Sequence, residues 1–296
     1  MIVIDKVLDV TSETIHHVLT WVTLWLEGGA VLHPQVEAER ILEDALGCSR
    51  AELYLNRKHA LTQAELEFVN KVIKERLTGK PLQYILGHQQ FGHLDLACRE
   101  GVLIPRPETE LLVEAALSEL NNLGGPRTVA DIGSGTGAIA VSIAYEYKQV
   151  KVYAADISAE AISLTEENAR TYGVDSRVHA IASDVLSGLG DLRGRLDMVV
   201  SNPPYIPRSE LAALQREVQF EPAEALDGGE DGLDFYRNIV RQSPEFLLPC
   251  GMLLFEIGIN QAPHIVALLK EVGCFKDIEV RKDYRGIDRI VTARKA

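Results

Sequence analysis

The stretch Thr128-Val129-Ala130-Asp131-Ile132-Gly133-Ser134-Gly135-Thr136-Gly137-Ala138-Ile139-Ala140-Val141 constrains the fold more than any other part of the chain. It reads as a short buried strand, a glycine loop and the start of an amphipathic helix. The glycines permit a tight turn and let backbone N–H groups approach a ligand at the first turn of the helix. Strands and helices then alternate, which predicts a parallel-type α/β sheet. Further strands are expected at Lys151–Asp156, Val178–Ser183, Leu196–Val200, Met252–Ile257, Ile278–Val280 and Arg289–Thr292. Helices are expected from Ser158 through Asn168 and near Ser209–Val218, Leu233–Leu247 and Ala262–Val272. Only a short loop separates the last two strands, so they should form an antiparallel hairpin at the far side of the sheet.

The loop fits two ligand patterns, since Gly133, Gly135 and Ala138 also match a dinucleotide fingerprint with its permitted final alanine. A pyrophosphate, however, would be repelled by an acid at the strand end, where Asp131 stands. S-adenosylmethionine carries an α-amino group, a sulfonium and no phosphate. An acidic strand end followed by Gly133, Ser134, Gly135, Thr136 and Gly137 suits it better. Asp156 ends the second strand about 20 residues after the glycines, where a carboxylate can accept both ribose hydroxyls. Asp184 ends the third, where one can hold the adenine amino group. Singly, Asp156 and Asp184 read as solvated strand ends or helix caps; three acids at three successive strand ends point to a methyl donor.

Directly after the apolar run Leu196–Val200 stand Asn202-Pro203-Pro204-Tyr205. Pro203 and Pro204 lack an N–H and have fixed φ, and Asn202, before a proline, is biased to an extended conformation. The loop is therefore stiff and rich in acceptors. The Asn202 side-chain oxygen and a proline carbonyl can each take one hydrogen of a planar NH2, while the Tyr205 ring can cover its flat face. Two hydrogens held this way aim the nitrogen at an electrophile. Asn-Pro alone is a turn signal; the glycine loop upstream gives it chemical meaning.

The 296 residues, 46% of them hydrophobic, are enough for two domains with their own cores. A net charge of −13 opposes a broad phosphate-binding surface, so no direct nucleic-acid partner is expected. Cys48, Cys98, Cys250 and Cys274 show no CxxC pairing and no histidines cluster at metal-ligand spacing, so buried free thiols and no metal are expected. Met1–Asp5 lacks a signal-peptide pattern and no apolar run reaches spanning length, which points to a reducing cytoplasm and no membrane partner.

Residues 1–80 read as a small helical domain, with helices near Ser12–Leu26 and Gln35–Leu46 and two short ones beyond. Ser49 with Glu52 and Thr62 with Glu65 have capping-box spacing. Trp21 and Trp25, one turn apart, fit a core helix better than an interaction face. Glycines and prolines punctuate residues 81–107, which suggests a hairpin or extended linker, and a third region, 108–296, carries the sheet.

Several motifs recur together. Pro81-Leu82-Gln83-Tyr84-Ile85-Leu86-Gly87, Phe91, Leu103-Ile104-Pro105-Arg106-Pro107-Glu108-Thr109-Glu110, Asp131–Ala138, Ser201–Pro207 and Phe220-Glu221-Pro222 through Asp231-Gly232-Leu233-Asp234 appear in that order. With them the chain closely resembles the peptide-chain release factor glutamine N5-methyltransferases, the PrmC/HemK family. The resemblance spans nearly the whole chain, and the Ile-Pro-Arg-Pro-Glu-Thr-Glu linker is its most specific part. It implies a Rossmann-like seven-stranded methyltransferase sheet, α/β in class, with the helical domain joined through a hairpin linker; because a protein substrate needs contacts beyond one side chain, that helical domain is the natural candidate for substrate recognition. It also implies that Gly133–Gly137, Asp156 and Asn202 contact S-adenosylmethionine and that Asn202–Tyr205 hold the glutamine of a Gly-Gly-Gln loop in class 1 release factors. One position departs from a common family form: after Asp184 an aromatic residue often packs beside the adenine, but here it is Val185, which should stack more weakly. Arg106 and Glu108 read either as a local pair with a favourable helix-start charge or as parts of the glutamine pocket. Glu256 is a further candidate beside a structural carboxylate reading.

The expected reaction is in-line transfer of the sulfonium methyl to a glutamine side-chain nitrogen, leaving S-adenosylhomocysteine. Its rivals are an amino-methyltransferase acting on nucleic-acid bases, which needs a basic, aromatic-studded surface, and a donor-binding scaffold without turnover.

Overall fold

The structure, a computed structural model, describes residues 13–296; the Met1–Asp5 reading and the helix start near Ser12 lie outside the described residues. The chain forms two units that divide between Gly87 and His88, with residues 216–220 grouped with the first.

The first unit is helical: α1 (Ile15–Gly28), α2 (Pro34–Leu46), α3 (Arg50–Leu55), α4 (Gln63–Arg76) and α5 (Leu82–Leu86). Ser49 and Thr62 both close the reciprocal capping boxes that their spacing predicts, satisfying backbone donors at the starts of α3 and α4. α4 is 14 residues long rather than short, because Leu66, Val69, Val72 and Ile73 give it a continuous buried stripe. That stripe meets Val18, Val22 and Leu26 of α1 and Ile41 and Leu42 of α2 in one core. Trp21 and Trp25, their rings 4.9 Å apart, pack half-buried against it. Buried Arg76 donates to Glu37 at 2.6 and 3.0 Å and to Glu217 at 2.5 Å, so the returning 216–220 segment is held by a charged triad. Its neutralisation on both sides is what makes a buried guanidinium tolerable.

The second unit opens with a hairpin, β1 (His88–Phe91) and β2 (Leu94–Ala97), and α6 (Thr109–Leu123). The sheet follows: β3 (Arg127–Ile132), β4 (Val150–Asp156), β5 (Val178–Ala182), β6 (Leu196–Ser201), β7 (Leu247–Glu256), β8 (Phe275–Lys282) and β9 (Asp288–Lys295). Its order is β5-β4-β3-β6-β7-β9-β8, parallel from β5 to β7, with β9 antiparallel to both β7 and β8. This is the seven-stranded α/β sheet with a terminal antiparallel hairpin that the sequence predicts. Alternation of side chains gives the central strands β3, β6 and β7 two buried faces, while the edge strand β8 is largely exposed. Val129, Met198 and Val200 point into a core with α6 and α7 (Ala138–Glu146); Ala130, Ile132 and Val199 point into one with α9 (Asp234–Phe246) and α10 (Ala262–Val272).

Two expectations are overturned. The helix near Ser209–Val218 is two separate 3-10 turns, Arg208–Ala213 and Val218–Phe220, in which no residue is buried. A short helix needs an apolar face docked on a core, and this segment has none. Of the four cysteines, all free, Cys98 alone is buried; Cys48 and Cys274 are intermediate, and Cys250 is exposed at a positive-φ turn inside β7.

Candidate active site

The sheet order reverses at β3, since the chain runs outward to β4 and β5 and then returns to place β6 on the other side. Ligands in open α/β sheets bind at such a switch point, beyond the carboxyl ends of the strands. There the second unit holds a cavity of about 970 Å³. Its walls include Gly133, Ser134, Gly135 and Thr136 after β3, Asp156 at the end of β4, Asp184 and Val185 after β5, and Asn202, Pro203 and Pro204 after β6. Arg106 and Thr109 complete it from the linker side.

Backbone conformation builds the glycine loop. Gly135 and Gly137 have φ of +56° and +79°, where a side chain is strained, and a Cβ on Gly137 would stand 3.0 Å from the Thr165 side chain. The loop is then fixed from outside: Thr165 Oγ1 donates to the Gly135 carbonyl at 3.1 Å and Asn168 Nδ2 to the Thr136 carbonyl at 2.8 Å. Asn168 also accepts from Ala97 N–H at 2.8 Å, which ties the β1–β2 hairpin to the loop. The Gly135 N–H donates to Asp156 Oδ2 and the Ser158 N–H to Asp156 Oδ1, both at 2.9 Å. Each carboxylate oxygen keeps further acceptor capacity for a ligand hydroxyl.

After β5, Ser183 Oγ donates to the Val185 carbonyl at 2.8 Å and accepts from the Gly188 N–H at 2.9 Å. This clamp holds Val185 at φ +53°, a strained conformation for a β-branched residue, with its side chain buried in the cavity wall. Asp184 beside it is exposed.

Asn202 faces the cavity from the opposite side and donates from Nδ2 to Thr109 Oγ1 at 3.0 Å. The loop beyond it is braced by residues 226–232. Ile206 N–H donates to the Leu226 carbonyl and Gly228 N–H to the Ile206 carbonyl, while Gln261 Nε2 donates to the carbonyls of Tyr205 and Gly232 at 3.0 and 3.1 Å. Behind the linker, Arg106 Nη2 donates to Glu221 Oε1 at 2.5 Å and Ile104 N–H to Glu221 Oε2 at 3.2 Å. The Glu221 side chain is 1% exposed.

Five residues singled out by sequence do not line the cavity: Asp131, Gly137, Glu108, Tyr205 and Glu256. Gly137 is the turn that starts α7. Tyr205 packs half-buried against the core on the α9–α10 face and fixes the loop through its carbonyl. Asp131 is fully buried beneath α7, where Oδ2 accepts the Ala140 N–H at 3.1 Å and Oδ1 has no partner among the described residues. Burial pushes its carboxyl up to about 7, the Ala140 bond pulls it down and the nearby Asp156 raises it further. Sequence reading left Glu221, Asn168, Thr165 and Thr109 without roles, although Glu221 and Thr109 lie within quoted motifs.

The charge of the cavity discriminates among ligands. Glu100, Asp156, Glu160, Asp184 and Glu224 line it, against one cation, Arg106, which is already paired with Glu221. Such walls favour a cationic ligand and disfavour a pyrophosphate.

Fold and site together define a methyltransferase-class α/β domain. The family model described as methyltransferase small domain matches residues 107–229, and a solved methyltransferase from Pyrococcus furiosus shares the fold at TM-score 0.51 and 17% identity, over 69% of this chain and 90% of that one. A second family model, described as the PrmC N-terminal domain, matches residues 17–87. Curated relatives are closer. The release factor glutamine methyltransferase of Geobacter sulfurreducens is 42% identical over 95% of this chain and 96% of its own, and that of Moorella thermoacetica 41% over 90% and 94%. The chain belongs to the release factor glutamine methyltransferase family.

Proposed function

We propose that the protein transfers a methyl group from S-adenosyl-L-methionine to the side-chain amide nitrogen of the glutamine in the Gly-Gly-Gln loop of class 1 release factors, and so modulates translation termination in the cytoplasm. The observation that carries this reading is that Asn202, Pro203 and Pro204 share one cavity with the glycine loop and Asp156. The cavity fits the methyl donor: its acidic walls suit a sulfonium and an ammonium, and its one cation is occupied. Asp156 would hold the ribose hydroxyls, Asp184 the adenine amino group and Val185 an adenine face, with the Gly133–Gly137 loop supplying close backbone approach. The partner is a protein rather than a nucleic acid, consistent with a net charge of −13. Recognition of that protein is assigned to the helical domain, residues 1–80, with 81–107 as linker and 108–296 as the catalytic domain.

When bound, the donor supplies an electrophilic methyl. A carboxamide nitrogen is a weak nucleophile because its lone pair is delocalised into the carbonyl, so the chain's task is to orient it. Asn202 Oδ1 and the Pro203 carbonyl accept its two hydrogens, and the stiff Asn202–Pro204 backbone keeps those acceptors in place without reorganisation. Tyr205, through the Gln261 bond to its carbonyl, fixes the loop, and Arg106 walls the glutamine pocket. In that orientation the nitrogen would form its bond to the methyl carbon as the sulfur–carbon bond breaks, with S-adenosylhomocysteine as the leaving group, and its proton, acidified by the new bond, would pass to solvent.

The test offers methyl-labelled S-adenosylmethionine with an unmodified release factor, its loop Gln→Ala variant, or unmodified ribosomal RNA. Label on the release factor that disappears in the variant is expected. Label on RNA alone would overturn the protein-substrate reading in favour of base methylation.

A further inference from the structure

The linker wall of the cavity is pinned by one carboxylate. Glu221 Oε2 accepts the Ile104 N–H at 3.2 Å and Oε1 accepts from Arg106 Nη2 at 2.5 Å, so its two oxygens grip the chain on either side of Pro105, which has no N–H to offer. The Glu221 side chain is 1% exposed, whereas that of Arg106 is 33% exposed and reaches the cavity as the one cation among the described residues lining it. A guanidinium carries five N–H donors. Among the described residues only Nη2 is bonded, which leaves Arg106 donors for a ligand. Arg106 is also tied to Asn202. Its carbonyl accepts the Thr109 N–H at 3.0 Å, and Thr109 Oγ1 accepts from Asn202 Nδ2 at 3.0 Å. Guanidinium and amide therefore line one cavity from residues joined through Thr109 by two hydrogen bonds.

A carboxamide brings two N–H donors and one carbonyl oxygen, and a buried carbonyl oxygen needs a donor of its own. We propose that the Arg106–Glu221 pair binds the carboxamide oxygen of the substrate side chain and makes the site select glutamine over glutamate. The inference rests on the reading of Asn202 and Pro203 as acceptors for the substrate NH2, and it names the partner of the remaining carboxamide atom. Glu221 is a positioning residue, since it acts through Arg106. An unpaired guanidinium attracts a carboxylate in fork geometry, which would draw glutamate into the pocket ahead of glutamine. Paired with Glu221, it is neutral as a unit and still offers N–H groups that a carbonyl can use. A carboxylate there would also meet the acceptors at Asn202 Oδ1 and the Pro203 carbonyl, which have no hydrogen to give it. A hydrogen bond to the amide oxygen reinforces delocalisation of the nitrogen lone pair. It therefore serves binding and orientation rather than the methyl-transfer step, and its loss belongs in KM.

The experiment follows release-factor methylation by the full-length wild type, Arg106→Leu, Glu221→Gln and the double variant that combines them, with the loop Gln→Glu release factor as competitor. Arg106→Leu should raise KM by about tenfold to a hundredfold, the range for one hydrogen bond to a charged group, with kcat changing much less. Glu221→Gln leaves the guanidinium charge uncompensated. Inhibition by the Gln→Glu factor should then strengthen by about tenfold, and that gain should vanish in the double variant. A carboxylate that only held the Ile104 segment in place would not change the competitor through Arg106. An unchanged KM in Arg106→Leu, unchanged inhibition in Glu221→Gln, or a gain that survives in the double variant would overturn the inference. Thermal melts identify a single variant that fails to fold. The double variant, which leaves neither charge without its partner, then decides: a raised KM with nearly constant kcat supports the pair, and a wild-type KM rejects it. A wild type that labels no release factor overturns the proposed function instead, and calorimetric binding of loop peptides bearing glutamine or glutamate then still decides whether the pair separates amide from carboxylate.

Discussion

The two halves of the cavity are built by opposite means. On the donor side, the glycine loop, Asp156 and the Ser183–Val185 turn come from three consecutive strand ends, and their shape is largely a backbone matter of positive φ and N–H donors. On the proposed acceptor side, the walls depend on side chains from remote segments: Thr109 at the start of α6 accepts from Asn202, Gln261 before α10 holds the Tyr205 carbonyl, and Glu221 holds Arg106. A backbone site tolerates many neighbours, because main-chain groups do not change with sequence. A side-chain site needs every member in register. The donor half should therefore be general among methyl-transferring chains, and selectivity for one nucleophile should reside in the acceptor half.

Substitutions that separate the two halves put this contrast at risk. The largest effect is expected for Asn202→Ala, which removes the acceptor proposed for the reacting nitrogen. Turnover of the release factor should drop by about 10²–10³-fold, the range for loss of one preorganised transition-state contact, while donor affinity stays within about threefold of wild type on calorimetry. Comparable losses in both quantities would show that the halves are one site. Asp156→Ala should give the reverse split. Its carboxylate holds the Gly135 and Ser158 N–H groups and faces the cavity; losing a charged acceptor should weaken donor binding by about tenfold to a hundredfold, with kcat at saturating donor much less affected. If titration finds donor affinity unchanged, the assignment of Asp156 to the donor is wrong.

A smaller effect should come from the helical unit. Leu32 and Leu55 are 68% and 82% exposed, so replacing both with Glu leaves its core intact. If that domain recognises the protein substrate, KM for an intact release factor should rise about threefold to tenfold, with KM for a short glutamine peptide unchanged. Equal shifts for both substrates would remove recognition from this surface.

The same contrast explains what could be read without coordinates. The seven-stranded sheet, its terminal hairpin, both capping boxes and the residues of the glycine loop are short-range patterns, and each follows from periodicity or from a residue with a restricted backbone. The acceptor side was legible only as letters. Nothing within the run Phe220-Glu221-Pro222 indicates that Glu221 would accept from Ile104 and Arg106, more than a hundred positions away. Thr109 sits inside a recognised motif, yet its partner Asn202 is brought to it by the end of β6. The Ser209–Val218 segment misled for a related reason: its local composition permits a helix, and the missing term is a core to dock on. Tyr205 shows the limit from the other side, since an aromatic ring beside a ligand loop invites a stacking role while the fold spends that ring on packing.

Asp131 tests where the donor half ends. By sequence it stands at a strand end and pairs naturally with an ammonium; in the structure it lies beneath α7 and outside the cavity lining. A carboxyl whose folded value is raised from 3.8 to about 7 favours the folded state fully when protonated, below its unfolded value, and that contribution disappears as pH rises through about 7. Asp131→Asn cannot titrate. Its buried amide adds a constant offset, but the difference in Tm between variant and wild type should grow in the variant's favour from acidic to mildly alkaline pH, by about 2–4 °C for each kcal/mol of lost wild-type stability. Glu256 titrates in both proteins and cancels from the difference. Thermal melts across that range check the slope, and calorimetry checks the companion expectation that donor affinity changes little. A flat difference together with a large loss of donor affinity would return Asp131 to the donor site and extend the backbone-built half by one essential side chain.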